Sequence, residues 1–188
     1  MEAAIRCSPA NTDRFDRFLL VDLAENSITL NSVNAGNQQD VSRKVIARYD
    51  RVPNFTAFDW SRSDTSLLAL GLSSGDVSLV KILSEQHSIA PVRTLPIRTP
   101  RKCNSITFNS ENLLAVGLDR LRNDHCLTVY DVADGKEAQI RLCAGEAITS
   151  VKFLPSQPQQ LVAAVARTTL KVFDLRGLSV LSLPVKVK

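Results

Sequence analysis

The sequence predicts an all-β chain, a β-propeller, because two strand motifs recur along it at one spacing. Candidate second strands are Phe18-Leu19-Leu20-Val21, Leu67-Leu68-Ala69-Leu70, Leu113-Leu114-Ala115-Val116 and Leu161-Val162-Ala163-Ala164, whose first residues stand 49, 46 and 48 positions apart. Candidate third strands are Ile28-x-Leu30, Val77-x-Leu79, Leu127-x-Val129 and Leu170-x-Val172, at steps of 49, 50 and 43. Several short strands per unit, repeated at this period, are what propeller blades require, since each small sheet can bury its apolar faces only against its neighbours.

The first strand of each unit reads Ala4-Ile5-Arg6-Cys7, Phe55-Thr56-Ala57-Phe58, Ser105-Ile106-Thr107-Phe108 and Ser150-Val151-Lys152-Phe153. Apolar and polar residues alternate there, as in a strand with two unlike faces. Turns follow at Ser8-Pro9, Ser61-Arg62-Ser63-Asp64, Asn109-Ser110-Glu111-Asn112 and Leu154-Pro155-Ser156, where Pro, Ser and Asn suit turn geometry. The second strands are continuous apolar runs, which points to burial of both faces between adjacent blades. Small residues recur in them: Ala69, Ala115, Ala163 and Ala164, with Gly71 and Gly117 at the ends.

A hairpin turn is expected at Ser73-Ser74-Gly75-Asp76. The third unit carries a longer polar loop at 119–125 in its place, and the fourth only Arg167-Thr168. Third strands end in Tyr130-Asp131 and Phe173-Asp174, the aromatic-Asp pair that stands where WD repeats carry Trp-Asp. The matching positions are Val80-Lys81 and Asn31-Ser32 in two degenerate units. Outer fourth strands are expected at Val45-Ile46-Ala47-Arg48-Tyr49, Pro91-Val92-Arg93-Thr94-Leu95 and Ala138-Gln139-Ile140-Arg141-Leu142, with a fourth in the tail 178–183. Residues 34–43 and 84–88 read as irregular connections between blades. No segment shows a convincing 3.6-residue stripe. The whole chain, 1–188, therefore reads as one partial WD-repeat propeller with approximate blades 1–50, 51–98, 99–143 and 144–188.

Composition narrows the function. Apolar residues make up 44% and aromatics 5%, so the core must rest on Leu, Val, Ile and Ala. Cys7, Cys103, Cys126 and Cys143 contain no C-x-x-C pair, and only His87 and His125 could join them, so neither a zinc site nor a cofactor is expected. Each falls in or beside an expected strand, where a buried free thiol is the common reading, and reduced thiols fit a cytosolic protein. No run approaches the roughly 20 apolar residues of a membrane span, and no signal peptide is read at the N-terminus. Net charge is +4, with Arg93, Arg98, Arg101, Lys102, Arg120 and Arg122 as the basic clusters. They lack interleaved aromatics or a recognition helix, so they read as solvated connections and not as a specific nucleic-acid surface.

No catalytic constellation is legible. Neither histidine stands at an inner-strand position, which argues against a propeller hydrolase or a small-molecule substrate. His87 reads as solvent-facing. Gly71-Leu72-Ser73-Ser74-Gly75 resembles a phosphate loop but lacks the GK[ST] ending and a following helix. Asp131 and Asp174 share a repeat position and are expected to be buried, paired within the blade. Trp60, aligned with Phe108 and Phe153, fits core packing, with a surface anchor as the alternative. The candidate partner-binding residues are Asp119, Arg120, Arg122 and Asp124, in the loop that interrupts the third unit; a solvated insertion is the other reading.

At that loop the sequence also resembles a known family. Arg101-Lys102-Cys103-Asn104-Ser105-Ile106-Thr107-Phe108-Asn109, then Leu113-Leu114-Ala115-Val116-Gly117-Leu118-Asp119 and Arg122-x-Asp124, is similar to the N-terminal WD-repeat domain of the Mio family. Asp13-Arg14-Phe15 or Asp16-Arg17-Phe18, Ala144-Gly145-Glu146 and Phe173-Asp174-Leu175-Arg176 agree with it. The resemblance implies a seven-bladed propeller followed by an α-solenoid and a zinc-binding RING-like region. It also implies a scaffold role in the SEA (GATOR) assembly at the vacuolar or lysosomal membrane, relaying amino-acid sufficiency to the TOR kinase complex. Only about four blades are present and residues 177–188 have no counterpart, so the chain reads as an incomplete, open part of a seven-bladed propeller with an exposed edge. The expected function is a non-enzymatic scaffold in a SEA/GATOR-type complex, cytoplasmic and peripheral to that membrane. The alternative is a WD-repeat adaptor of a coat, a nuclear pore or a ubiquitin-ligase substrate receptor.

Overall fold

Sixteen strands alternate with tight turns in a computed structural model that describes residues 3–9, 16–22, 25–34, 42–133, 140–166, 168–177 and 179–184. The first blade holds β1 (Ala3–Cys7), β2 (Asp16–Asp22), β3 (Ser27–Asn34) and β4 (Ser42–Asp50). The second holds β5 (Phe55–Trp60), β6 (Leu67–Leu72), β7 (Val77–Leu83) and β8 (Ser88–Leu95). The third holds β9 (Cys103–Phe108), β10 (Leu113–Leu118), β11 (His125–Asp131) and β12 (Ile140–Ala144). The fourth holds β13 (Ile148–Leu154), β14 (Gln157–Val165), β15 (Thr169–Asp174) and β16 (Ser179–Pro184). Each blade is a four-stranded antiparallel meander, the wedge unit that the repeat predicts. Asp13-Arg14-Phe15, Arg167 and the start of the expected strand at 138–142 lie outside the described residues.

Register confirms the equivalent third-strand positions and corrects the second strands by one residue, setting Phe18 and Leu161 level with Leu68 and Leu114 instead of Leu67 and Leu113. Phe18 pairs with Asn31, Leu68 with Val80, Leu114 with Tyr130 and Leu161 with Phe173, so the degenerate and aromatic versions occupy one position. Where Tyr130 has a hydroxyaryl ring, the first blade buries Asn31, whose amide donates to Thr29 O and Oγ1 at 3.0 Å each and whose Oδ1 accepts from Arg43 Nε at 2.8 Å. A fully buried amide must find such partners.

Three apolar cores fill the three joints between blades. Leu19, Leu30, Leu68 and Trp60 join the first and second; Leu79, Ile106, Leu114 and Val116 join the second and third; Leu127, Val151, Leu161 and Phe173 join the third and fourth. Trp60 is thus a core residue, with its indole N–H donating to Thr65 O at 2.8 Å. Polar side chains reach one repeat ahead to satisfy backbone groups. Asp59 Oδ2 accepts the Phe108 N–H at 2.9 Å, Asn109 Nδ2 donates to Pro158 O at 2.9 Å, and Ser105 Oγ accepts the Val151 N–H at 3.1 Å.

The arc is open. In the middle blades β6 and β10 are buried almost throughout, whereas β2 and β14 alternate between buried and half-buried residues. The end blades are therefore covered by protein on one face only, among the described residues. Cys7 is exposed for this reason, against the expectation of a buried thiol, since its strand lies at the uncovered edge; Cys103 and Cys126 are buried.

Two expectations are corrected. Residues 84–88 do not connect blades: they form a 3-10 turn (Ser84–Gln86) between β7 and β8 within the second blade, and the connection expected at 34–43 falls between β3 and β4 of the first blade, with 35–41 outside the described residues. Asp131 and Asp174 are half-buried, not buried. They cap the turn that follows, accepting the N–H of Ala133 and of Arg176 at 2.9 and 3.0 Å, the usual use of a turn-initiating aspartate. One link was not foreseen: β4 and β8 touch through a single parallel bridge, Arg48 N–H donating to His87 O at 3.2 Å, which merges the first two blades into an eight-stranded sheet. His87 is exposed, with Nδ1 2.9 Å from Ile46 O.

Candidate functional site

The β6–β7 hairpin, the 96–102 connection and the 119–124 loop meet at one end of the barrel-like arc. Ser74 and Asp76 shape the hairpin, and Gly75 takes φ +95 inside it, a conformation that L side chains rarely adopt. A Cβ at Gly75 would also stand 2.2 Å from Arg101 O. Backbone contact is therefore direct: Arg101 N–H donates to Ser74 O at 2.8 Å, and Asp76 Oδ1 accepts the Ile97 N–H at 3.0 Å.

Arg101 then crosses to the loop. Its side chain is 8% exposed, Nη1 lies 2.7 Å from Asp124 Oδ2, and Nη2 donates to His125 O at 2.6 Å. The hydrogen bond from Arg101 holds the Asp124 carboxyl below its ordinary pKa, with the His125 N–H helping and partial burial opposing. Arg101 read as a solvated residue in the sequence; the structure buries it as the peg of this corner. The planar guanidinium suits the task, because it serves two acceptors at fixed angles.

Of the four loop residues singled out, Asp119, Arg120 and Arg122 are exposed, while Asp124 is half-buried and occupied. The Asp119 N–H donates to Lys102 O at 2.8 Å, and Asp119 Oδ1 accepts the Arg120 N–H at 2.8 Å, which steadies the loop base. The loop thus presents Arg120 and Arg122 from a braced platform. Arg101 is the residue that sequence reading missed here; its signal was an Arg in a connection immediately before an inner strand, 23 positions from an Asp in the next loop.

Four radially packed antiparallel meanders with projecting loops define a WD-repeat type of propeller protein. No family model matches the chain. Sequence similarity runs to the GATOR2 complex protein Mio of Drosophila melanogaster, 30% identical over 118 residues, 61% of this chain and 13% of that protein. It runs also to the GATOR2 complex protein MIOS of Dictyostelium discoideum, 38% identical over 72 residues, 37% of this chain and 6% of that protein. The resemblance to the Mio family therefore holds, for a chain that spans only a small share of those relatives' length.

Solved structures agree on the fold. Chaetomium thermophilum Raptor matches with a TM-score of 0.73 at 13% identity, over 97% of this chain and 16% of that one. The WD40 domain of Toxoplasma gondii coronin matches with a TM-score of 0.67 at 14% identity, over 97% of this chain and 50% of that one. Saccharomyces cerevisiae Sqt1 matches with a TM-score of 0.66 at 10% identity, over 90% of this chain and 48% of that one. At such identities the likeness speaks for the fold alone.

Proposed function

We propose that the chain works as a non-enzymatic scaffold element within a GATOR2-type assembly and takes part in amino-acid signalling to the TOR kinase complex. The carrying observation is the similarity to fly Mio over 118 residues at 30% identity, joined to a fold whose rigid blades hold loops at fixed positions. In this reading the protein acts in the cytoplasm and meets the lysosomal or vacuolar membrane through its complex. No helix among the described residues is long and apolar enough to cross a membrane. Arg120, Arg122 and Asp119 are the proposed contacts of the 119–124 loop, with Asp124 holding them in place through Arg101. Charged rim residues of this kind steer association and fix partner choice more than they add affinity.

The test is affinity purification of the tagged full chain from cells, with the bound proteins identified by mass spectrometry. Subunits of a GATOR2-type complex are expected, and reversing Arg120 and Arg122 to Glu should reduce their recovery. Recovery of coat, nuclear-pore or cullin-adaptor proteins in their place would overturn the reading.

A further inference from the structure

The opposite end of the arc carries a second feature. β9 and β10 run antiparallel, so the turn at 109–112 and the loop at 119–124 lie at opposite ends of the third blade. At the turn end, the ends of all four inner strands surround a cleft of about 540 Å³ on the propeller axis. That volume falls within the range of built ligand sites, roughly 300–1,000 Å³.

Its charge is one-sided. Among the described residues the lining holds Arg6, Arg62 and Lys152 against a single carboxylate, Asp59. Asp59 is already spent: it is 6% exposed, its Oδ1 receives the Arg6 guanidinium, and its Oδ2 takes the Phe108 N–H. Arg62 and Lys152 are exposed and have no carboxylate partner among the described residues. The cations sense one another. Loss of solvent at the wall lowers the Lys152 pKa most, Asp59 opposes this, and Arg6 and Arg62 add to it. A chain that gathers positive charge from its first, second and fourth blades at one mouth has a surface short of anions.

The shape selects the kind of anion. Compact phosphates are held by backbone N–H groups at a helix N-terminus or a glycine-rich nest. Among the described residues this cleft has no glycine in its lining and no helix beside it. Its three cations come from different blades, and its lining also includes the apolar side chains Phe153, Pro155 and Pro158 of the fourth blade. Cations from separate blades beside apolar side chains match an extended strand that carries carboxylates and apolar side chains in turn.

We propose that this axial cleft docks an extended acidic peptide segment of a partner protein, with Arg62 and Lys152 pairing its carboxylates. The site is separate from the 119–124 loop and does not depend on which assembly the chain joins.

Fluorescence anisotropy on the full chain tests it, with a fluorescein-labelled peptide of alternating Glu and Leu at about 50 mM salt, where surface charges are little screened. Saturable binding is expected, with none for the Lys-Leu counterpart. Arg62→Glu with Lys152→Glu should weaken binding by about tenfold or more, while Arg98→Glu with Lys102→Glu at the far end leaves it unchanged. Both replaced pairs are exposed, so circular dichroism should show a native fold; if the Glu pair fails to fold, the Ala pair takes its place. Affinity within about twofold of the parent for the folded double variant would overturn the proposal. So would complete displacement by inorganic phosphate at equal ionic strength, which would mark a small-anion site.

Discussion

Gly71 of β6 lies directly against the thiol of Cys103 in β9: a methyl group at Gly71 would stand 2.3 Å from Cys103 Sγ and 3.0 Å from its Cβ. The same relation recurs one joint later, where a methyl on Gly117 would stand 2.5 Å from Ile148 Cγ2. Gly71, Gly117 and Ala164 hold one register position, paired with Ala57, Ser105 and Ala164's partner Ser150 on the inner strands. In the second and third blades glycine stands where the next blade's inner strand presses, whereas the first blade has Val21 at that register position, paired with Ala4 and Ile28. In the last blade, where no further strand is described, the position is alanine.

Gly71→Ala should therefore destabilise the chain by about 1–3 kcal/mol through overpacking. Cys103→Ala in the same molecule removes the nearest atom and should recover a large part of that loss. Urea unfolding of the two single variants and the double variant gives the coupling, expected at about 1 kcal/mol or more. Strict additivity would show that the two residues do not press on each other.

The Arg101–Asp124 pair should set part of the acid stability. Asp124 has a folded pKa held down chiefly by the Arg101 hydrogen bond. A depressed carboxylate contributes stability that is complete above its unfolded value, about 3.9, and is lost as pH falls through the folded value. The gap in urea midpoint between the parent chain and Asp124→Asn should thus be widest near neutrality and close on acidification below about pH 4. At neutral pH Arg101→Ala should cost about 2 kcal/mol, and Arg101→Lys should recover little, since an ammonium cannot reach Asp124 and His125 O together. A constant gap from pH 7 to 3 would sink this account.

Thiol chemistry should follow burial. Removal from water pushes the Cys103 thiol up to about 12 and the Cys143 thiol up to about 11, and a protonated buried thiol is a poor nucleophile. Native labelling with a disulfide reagent near pH 8 should modify exposed Cys7 first, Cys143 slowly, and Cys103 and Cys126 only after denaturation. Mass spectrometry of the labelled peptides decides it; early modification of Cys103 would mean that the joint between the second and third blades opens.

Much of the fold was legible because its signals are local. Strand alternation, continuous apolar runs and Pro, Ser and Asn turns all sit within a few residues, and the repeat supplies each four times over. The Tyr130-Asp131 and Phe173-Asp174 pairs marked the register because Asp starts a turn by bonding an amide two residues on. What could not be read depends on distance in sequence. Arg101 is buried by a partner 23 residues away, and His87 meets Ile46 across 41. Cys7 looked like a core thiol because alternation says which face a residue takes, not whether anything covers that face. The axial cleft was hidden for the same reason: Arg6, Arg62 and Lys152 belong to different blades and meet only once the strands converge.

The uncovered face of the last blade should govern solution behaviour. Pairing places Val162, Val172 and Leu181 in one row and Ala164, Leu170 and Leu183 in the next, on the same side of the sheet. That side points away from the core formed by Leu161, Ala163, Val165 and Phe173. Leu181 is 60% and Leu183 45% exposed, an apolar patch at a sheet whose edge strand also offers free backbone groups. Leu181→Glu with Leu183→Glu should lower concentration-dependent association, since each new carboxylate would have to lose its water for the faces to meet. Strand content should not change, because neither side chain fills a joint between blades. Sedimentation velocity over a concentration series, read beside far-ultraviolet circular dichroism, checks both statements. Undiminished association of a folded double variant would show that another surface drives it.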